Sequence, residues 1–200
     1  MTTVSWAGPL AGDAEVVRGS LVESERFSVI FDAYFGEIHR YVAQRLGADS
    51  AEDVVAETFL TAFRKRTRYD PSRASVRVWL YGIATNLIRR HHRTELRTLR
   101  ALGRHGPDPD VPGHEDEVSA QVSAQSLRPS IAAALAGLHQ RDRDVLLLVA
   151  LADLSHEEIA SALGIPYGTV GSRLSRARRK LRAVLGESNP MLDPEEAGRG

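Results

Sequence analysis

The chain has 200 residues, 42% of them hydrophobic and 26% charged, with 26 basic and 26 acidic side chains, no cysteine and a formal net charge of zero at pH 7. This composition suits a soluble globular protein of one or two small domains, and the missing thiols exclude a disulfide scaffold and a thiolate zinc site while leaving a reducing cytosol compatible. The longest apolar run, Val145 to Leu151, falls well short of the roughly eighteen residues of a membrane span, and Met1 to Ser20 has no basic segment leading into an apolar core, so neither membrane insertion nor export is expected and the location read is cytoplasmic.

Residues 1–23 read as a flexible N-terminal extension. From Phe27 onward, Phe27, Ile30, Phe31, Tyr34, Ile38 and Tyr41 recur at three- and four-residue spacing, which predicts one long amphipathic helix ending near Gly47 with its aromatics in the core. Asp49 or Ser50 can cap a second helix, with Val54, Val55, Phe59, Ala62 and Phe63 buried and Asp53, Glu57 and Thr58 near the exposed margin. The segment Thr67 to Ala74, TRYDPSRA, breaks the pattern at its Asp-Pro pair before Ser75 can cap a third long helix. In that helix Val76, Leu80, Ile83 and Leu87 face inward, while Asn86, Arg90, Arg93 and Arg97 share another face.

Charge is segregated along the chain. Between Arg64 and Arg100 the cations Arg64, Lys65, Arg66, Arg68, Arg73, Arg77, Arg89, Arg90, Arg93, Arg97 and Arg100 meet only Asp70 and Glu95 as anions, a density that predicts contact with a polyanion. Tyr69, Trp79 and Tyr81 lie among these arginines. Trp79 reads first as core against Leu80 and Ile83, because helical aromatics mostly pack; Tyr69, in the loop, is the better candidate for stacking on a base. Residues 101–127, with Asp108, Asp110, Glu115, Asp116 and Glu117 in a Gly- and Pro-containing stretch, read as a flexible linker.

Pro129 fits a helix start, Ile131, Leu135 and Leu138 give a short amphipathic helix, and Arg141 to Leu151 a second. Ser155 and Glu158 then have the S-x-x-E spacing of a capping box. Ile159, Ala160 and Leu163 share one face, Gly164 allows the turn, and Pro166 suits the entrance of the next helix. Along it Val170, Leu174, Leu181 and Leu185 form a buried stripe, with Arg173, Arg176, Arg179, Lys180 and Arg182 largely off it. Cap, turn and basic face coincide. They favour a helix-turn-helix that presents its second helix to the DNA major groove over a surface hairpin with merely solvated arginines. Thr169, Ser172, Arg173 and Arg176 are placed near DNA, Ser172 and Arg176 at base edges and the others on phosphate; Tyr167 and Arg179 complete the candidate surface.

No segment alternates with a period of two. The expected fold is therefore all-α: two small helical domains, residues 24–100 and 128–186, joined by the flexible linker. The second is a helix-turn-helix, winged-helix-like but without strands, and residues 187–200 form a disordered tail. A catalytic reading would have to use His91 and His92, or His114 with Glu115, Asp116 and Glu117. Adjacent helical histidines point about 100° apart and chelate one metal poorly, and the acidic cluster lies in the linker. No enzyme activity, metal or cofactor is expected, and His91 and His92 are read as extending the basic surface below neutral pH.

The segments IFDAYFGEIHRYVAQRL, AEDVVAETFLTAFRK and VWLYGIATNLIRRHHR, followed by the Leu154 to Leu185 unit ending GTVGSRLSRARRKL, together resemble the extracytoplasmic-function (ECF) sigma factors, small two-domain initiation subunits of bacterial RNA polymerase in the sigma-70 family. The resemblance implies that Asp53, Val54, Glu57, Thr58 and Phe59 dock on the clamp helices of the polymerase's largest subunit. It implies a promoter −10 reader within Thr67 to Arg97, carried by Arg68, Tyr69, Asn86, Arg89, Arg90, Arg93 and Arg97, and a −35 reader in the helix beginning near Tyr167. The expected partners are RNA polymerase core, promoter DNA and, as a possible third, an anti-sigma factor. Two departures bear on specificity: Gly171 stands where a lysine or arginine is common, and Arg90 where an aspartate is. The rival reading, a helix-turn-helix regulator that dimerises through its first domain and binds duplex without polymerase, gives no reason for an acidic helix followed by a basic one.

Overall fold

A computed structural model of the protein describes residues 12–101 and 129–185. The expected linker and C-terminal tail lie outside the described residues, apart from Ala101. Helix α1 spans Asp13–Gly19, α2 Ser28–Leu46, α3 Ala48–Lys65 and α4 Val76–Ala101. After the linker come α5, Pro129–Ala136, α6, Gln140–Ala152, α7, His156–Leu163, and α8, Tyr167–Leu185.

Residues 1–11 of the expected flexible extension lie outside the described residues, and over residues 12–23 helix α1 corrects that expectation. Val17 is buried against the first bundle, the Tyr34 hydroxyl donates to the Asp13 carboxylate, and the Arg66 guanidinium donates to the Ser20 carbonyl at 3.2 Å. A seven-residue helix is too short to be stable by itself or to show a convincing period, so packing creates it. Helices α2 and α3 meet at Gly47, whose φ of 83° favours glycine; Asp49 and Ser50 fall inside the first turn of α3 and neither caps it. Ser75 does cap α4, its Oγ accepting from the Val78 N–H at 3.3 Å. Ile30, Ile38, Tyr41 and Val42 of α2 interdigitate with Ala51, Val55 and Ala62 of α3 and with Leu80, Tyr81, Ala84 and Ile88 of α4. Complete burial of each large apolar side chain contributes about 1.5–3 kcal/mol, which is what orders the first bundle.

The second bundle follows its sequence signals closely. Both bonds of the capping box form, Glu158 N–H to Ser155 Oγ at 3.2 Å and Ser155 N–H to Glu158 Oε2 at 2.8 Å. Gly164 ends α7 with φ 61°. Val170, Leu174 and Leu181 are buried along α8 as expected, joined by Ala177, whose small side chain admits Ala134 and Leu138 from the α5 side. Arg143 ties α5 to α6 by donating to the Leu135 and Ala136 carbonyls at 2.8 and 2.7 Å. Gly171 is a site for improvement: a Cβ built there meets nothing within 4 Å, and its φ is not positive. Gly171→Ala therefore gains about 1 kcal/mol of helix propensity. A thermal melt should rise by about 2–4 °C; an unchanged or lower midpoint would show that α8 needs the glycine.

The two bundles are not separate. Val145, Leu148, Ile159, Val170 and Leu174 join the core of the first bundle in one continuous apolar cluster. At the crossing of α4 and α7, a Cβ on Gly82 would lie 2.4 Å from the Ala162 carbonyl oxygen, so only glycine fits. This juxtaposition positions the surfaces described next.

Candidate nucleic-acid interface

The loop before α4 is built around an Asx turn. Asp70 Oδ1 accepts from the Ser72 hydroxyl at 2.7 Å and from the Ser72 N–H at 3.0 Å, bonds that hold the Asp70 carboxyl below the usual carboxylate range. Tyr69 leaves this loop with its ring tilted over Trp79, centroids 4.9 Å apart, and its hydroxyl donates to the Ala74 carbonyl at 3.0 Å. Both rings are half-buried. They line, with Arg68 and Asn86, a cavity of about 860 Å³. Trp79 thus packs on the core and also forms wall, whereas Tyr81, grouped with these aromatics by sequence, is fully buried: its hydroxyl donates to Glu37 at 2.7 Å and its ring meets Tyr41 edge-on. A pattern that counts aromatics near arginines cannot see that α4 is covered on that side by α2.

Of the remaining cations in the candidate −10 set, Arg90, Arg93 and Arg97 are exposed on the same side of α4 as Asn86. Arg89 is half-buried and bound to Asp144 of α6 at 2.5 Å. His92 overturns the expectation of a second basic histidine on this surface. It is buried between α2 and α6, and its pKa is lowered to about 3, first by loss of hydration and then by the Arg45, Arg143 and His91 charges, against which Asp144 acts weakly. Glu95 lies 3.7 Å away on its own helix. Above the ordinary histidine value of 6.5 both folded and unfolded chains keep this ring neutral. Below it the unfolded chain takes up a proton that the folded one refuses, so stability falls as pH drops, with a slope approaching about 1.4 kcal/mol per pH unit for this one group. Urea melts between pH 7 and 5 should show that loss, and His92→Gln should flatten it; an equal slope in the variant would assign the loss elsewhere.

On the second bundle, Tyr167 stands exposed at the start of α8 with the His156 ring against its edge, and Thr169 and Ser172 follow one turn on, the Ser172 hydroxyl donating to the Thr169 carbonyl at 3.1 Å. Arg176 and Arg179 are exposed. The Arg176 guanidinium makes two parallel bonds to the Asp142 carboxylate of α6, at 3.0 and 3.1 Å, which raise its pKa further. Arg173 is half-buried. Burial, then the neighbouring Arg141 and Arg89 charges, lower its pKa.

The acidic helix α3 divides its candidate residues between surface and core. Asp53 is exposed and Glu57 half-exposed, its carboxylate accepting from Thr61 at 3.3 Å. Val54 and Phe59 are buried, and so is Thr58, whose hydroxyl donates to the Val54 carbonyl at 2.7 Å. The expectation that Thr58 lies at the exposed margin is therefore corrected: it satisfies its hydroxyl within the helix and supports the surface from beneath. Sequence reading also placed Phe31 in the core, but Phe31 and Phe35 are about two-fifths exposed, forming with Phe59 a ladder of rings 4.9 and 5.1 Å apart next to exposed Leu60. Their i, i+4 spacing was visible. It forms its own stripe, one residue and hence about 100° away from Ile30, Tyr34 and Ile38.

The family description of sigma-70 region 2 matches residues 30–98, and that of sigma-70 region 4 matches residues 128–181. The ECF RNA polymerase sigma factor SigC of Mycobacterium tuberculosis is 35% identical over 160 residues, 77% of this chain and 78% of that protein. This chain belongs to the ECF sigma factors. SigL of M. tuberculosis is 33% identical over 175 residues, spanning 87% of this chain and 97% of its own length. Among solved structures, CnrH bound to the cytosolic domain of CnrY superposes with a TM-score of 0.60 at 22% identity, covering 89% of this chain and 99% of that one. RpoE bound to the anti-sigma factor NepR from Bartonella quintana gives 0.59 at 21% identity, covering 85% and 99%. Among the described residues of this chain there is no strand, no group of side chains placed to hold a metal ion and no helix long and apolar enough to cross a membrane.

Proposed function

We propose that this sigma factor directs RNA polymerase core to promoters in three physical steps, each assigned to one surface. The α2–α3 face docks on the clamp helices of the largest polymerase subunit, with Asp53 and Glu57 offering charge and the Phe31, Phe35 and Leu60 patch apolar area. Val54, Thr58 and Phe59 hold that face in shape. The loop and outer face of α4 favour separated strands: Arg68, Arg89, Arg90, Arg93 and Arg97 track phosphates, while Tyr69, Trp79 and Asn86 form a cavity able to hold one unstacked base. The α8 face reads duplex upstream, Ser172 and Arg176 at base edges with Tyr167, Thr169, Arg173 and Arg179 on the backbone.

The observation that carries this reading is the order of surfaces in one chain: acidic and aromatic dock, aromatic pocket flanked by cations, then capped helix-turn-helix. The protein itself performs no bond chemistry in this scheme, and the polymerase supplies it. It works where the nucleoid is, in the cytoplasm, and the likeness to RpoE solved with the anti-sigma factor NepR supports an anti-sigma protein as a further expected partner. Purified core polymerase, this protein and supercoiled genomic DNA should yield RNAs whose 5′ ends map to a small set of shared upstream sequences. Tight duplex binding by the protein alone, with no such transcripts, would identify an independent regulator.

A further inference from the structure

We propose that Asp142, in the first turn of α6, is a positioning residue for base recognition: it fixes one edge of the Arg176 guanidinium so that the other edge is presented to a guanine of the upstream element. The inference deepens the assignment of α8 as duplex reader and rests on it. The bonds show which edge is used. Arg176 Nε donates to Asp142 Oδ2 at 3.1 Å, and Nη2 donates to Oδ1 at 3.0 Å. A guanidinium can donate a parallel pair from its Nε and Nη2 edge or from its Nη1 and Nη2 edge. Asp142 takes the first, which leaves the second for paired acceptors such as O6 and N7 of guanine. Exposure matches these roles, since the Arg176 side chain is half-exposed and that of Asp142 is set back from solvent.

Asp142 is itself held in place. Its N–H donates to the His139 carbonyl at 2.9 Å, and the next residue, Arg143, is anchored on the carbonyls that end α5. The first turn of a helix also favours a carboxylate through its unpaired N–H groups. On the other side of the pair, Val170 and Leu174 hold α8 against Val145 and Leu148 of α6. Both members of the pair therefore stand on packed helices of one bundle. A free arginine samples many rotamers and has to be ordered on each base it meets, whereas a guanidinium clamped along one edge has lost that freedom before DNA arrives. The carboxylate also attracts Arg173, about one turn earlier on α8. Its negative charge opposes loose phosphate contact at this point of the face, so it lowers affinity for arbitrary duplex while sharpening the choice of base.

The test compares holoenzymes carrying the full-length parent, Asp142→Asn, Arg176→Ala and the double variant. Each is assayed on a mapped promoter, on versions with single base pairs of the upstream element replaced, and on one with that element scrambled. Asp142→Asn keeps the size of the side chain but loses its charge and one of its paired acceptors. It should reduce discrimination at the guanine read by Arg176 by about tenfold, while binding to the scrambled element stays equal or tightens. A merely structural defect would weaken both. In the Arg176→Ala background Asp142→Asn should cause no further loss of discrimination, because two residues that act as a unit are not additive. If Asp142→Asn does not fold, Asp142→Ala takes its place. Equal weakening on both elements, unchanged discrimination, or an additive loss in the double variant overturns the positioning role. Absence of transcripts from the parent with core polymerase would instead overturn the sigma reading. The same four proteins are then compared on a randomised duplex pool bound without polymerase, where an unchanged base preference in Asp142→Asn overturns the positioning role and a relaxed one upholds it.

Discussion

Arg176→Ala should lower initiation at promoters identified by 5′-end mapping by about 5- to 150-fold, the equivalent of the 1–3 kcal/mol that a bidentate arginine–guanine pair supplies. Arg176 is the exposed guanidinium of α8 already holding a two-bonded planar partner, Asp142, and the same fork suits the paired acceptors of guanine. The decisive comparison sets the mapped upstream element against a scrambled one in footprinting and in single-round transcription. Loss confined to the mapped element assigns Arg176 to a base edge. Equal loss on both would make it a phosphate contact and shift base reading to Ser172 and its neighbours. The Arg176 side chain is half-exposed, whereas its partner Asp142 is only 13% exposed, so a melt checks whether leaving that carboxylate unpaired costs stability, and a collapse of the melt would disqualify the variant as a probe of recognition.

Tyr69→Ala should leave duplex binding by the holoenzyme nearly intact while reducing strand opening by a comparable factor, since stacking of one base on an aromatic ring is worth about 1–3 kcal/mol. Tyr69 is half-buried, tilted on Trp79 and fastened by its hydroxyl to Ala74, so its ring is held ready for a base. Permanganate reactivity of unpaired thymines reports opening directly. Tyr69→Phe keeps the ring and drops only the Ala74 bond; it should retain most of the activity. If the alanine and phenylalanine variants lose equally, the loop geometry set by the hydroxyl matters and stacking does not.

Much of this was legible without coordinates, for reasons that are local. A capping box needs only Ser155 and Glu158 three residues apart, and a helix stop needs only Gly164 where φ turns positive; both formed as read. The stripes of Leu80, Val170 and Leu174 follow from helical period alone. The misreadings share one cause, which is that period identifies a face but not what covers it. Phe31 reads as core because it shares the three- and four-residue spacing of Phe27, Tyr34 and Tyr41, and Thr58 reads as margin beside Asp53 and Glu57. His92 was read as a surface base because it adjoins His91. Each depends on which neighbouring helix lies over it.

Sequence by itself determined the long helices, the Ser75 and Ser155 caps, the helix-turn-helix and the segregation of positive charge, because these follow from hydrogen bonding, periodicity and residue type over a few turns. Only the tertiary structure decided that α1 is ordered by Tyr34 and Arg66, that Tyr81 and His92 are interior, and that Asp142 and Asp144 meet arginines 34, 55 and 99 residues distant in the chain. Such pairings arise when buried charge must find an opposite partner, and when two backbones can approach only at a glycine such as Gly82. Neither condition leaves a period or a motif in the sequence, since the partners are chosen by the packing of whole helices.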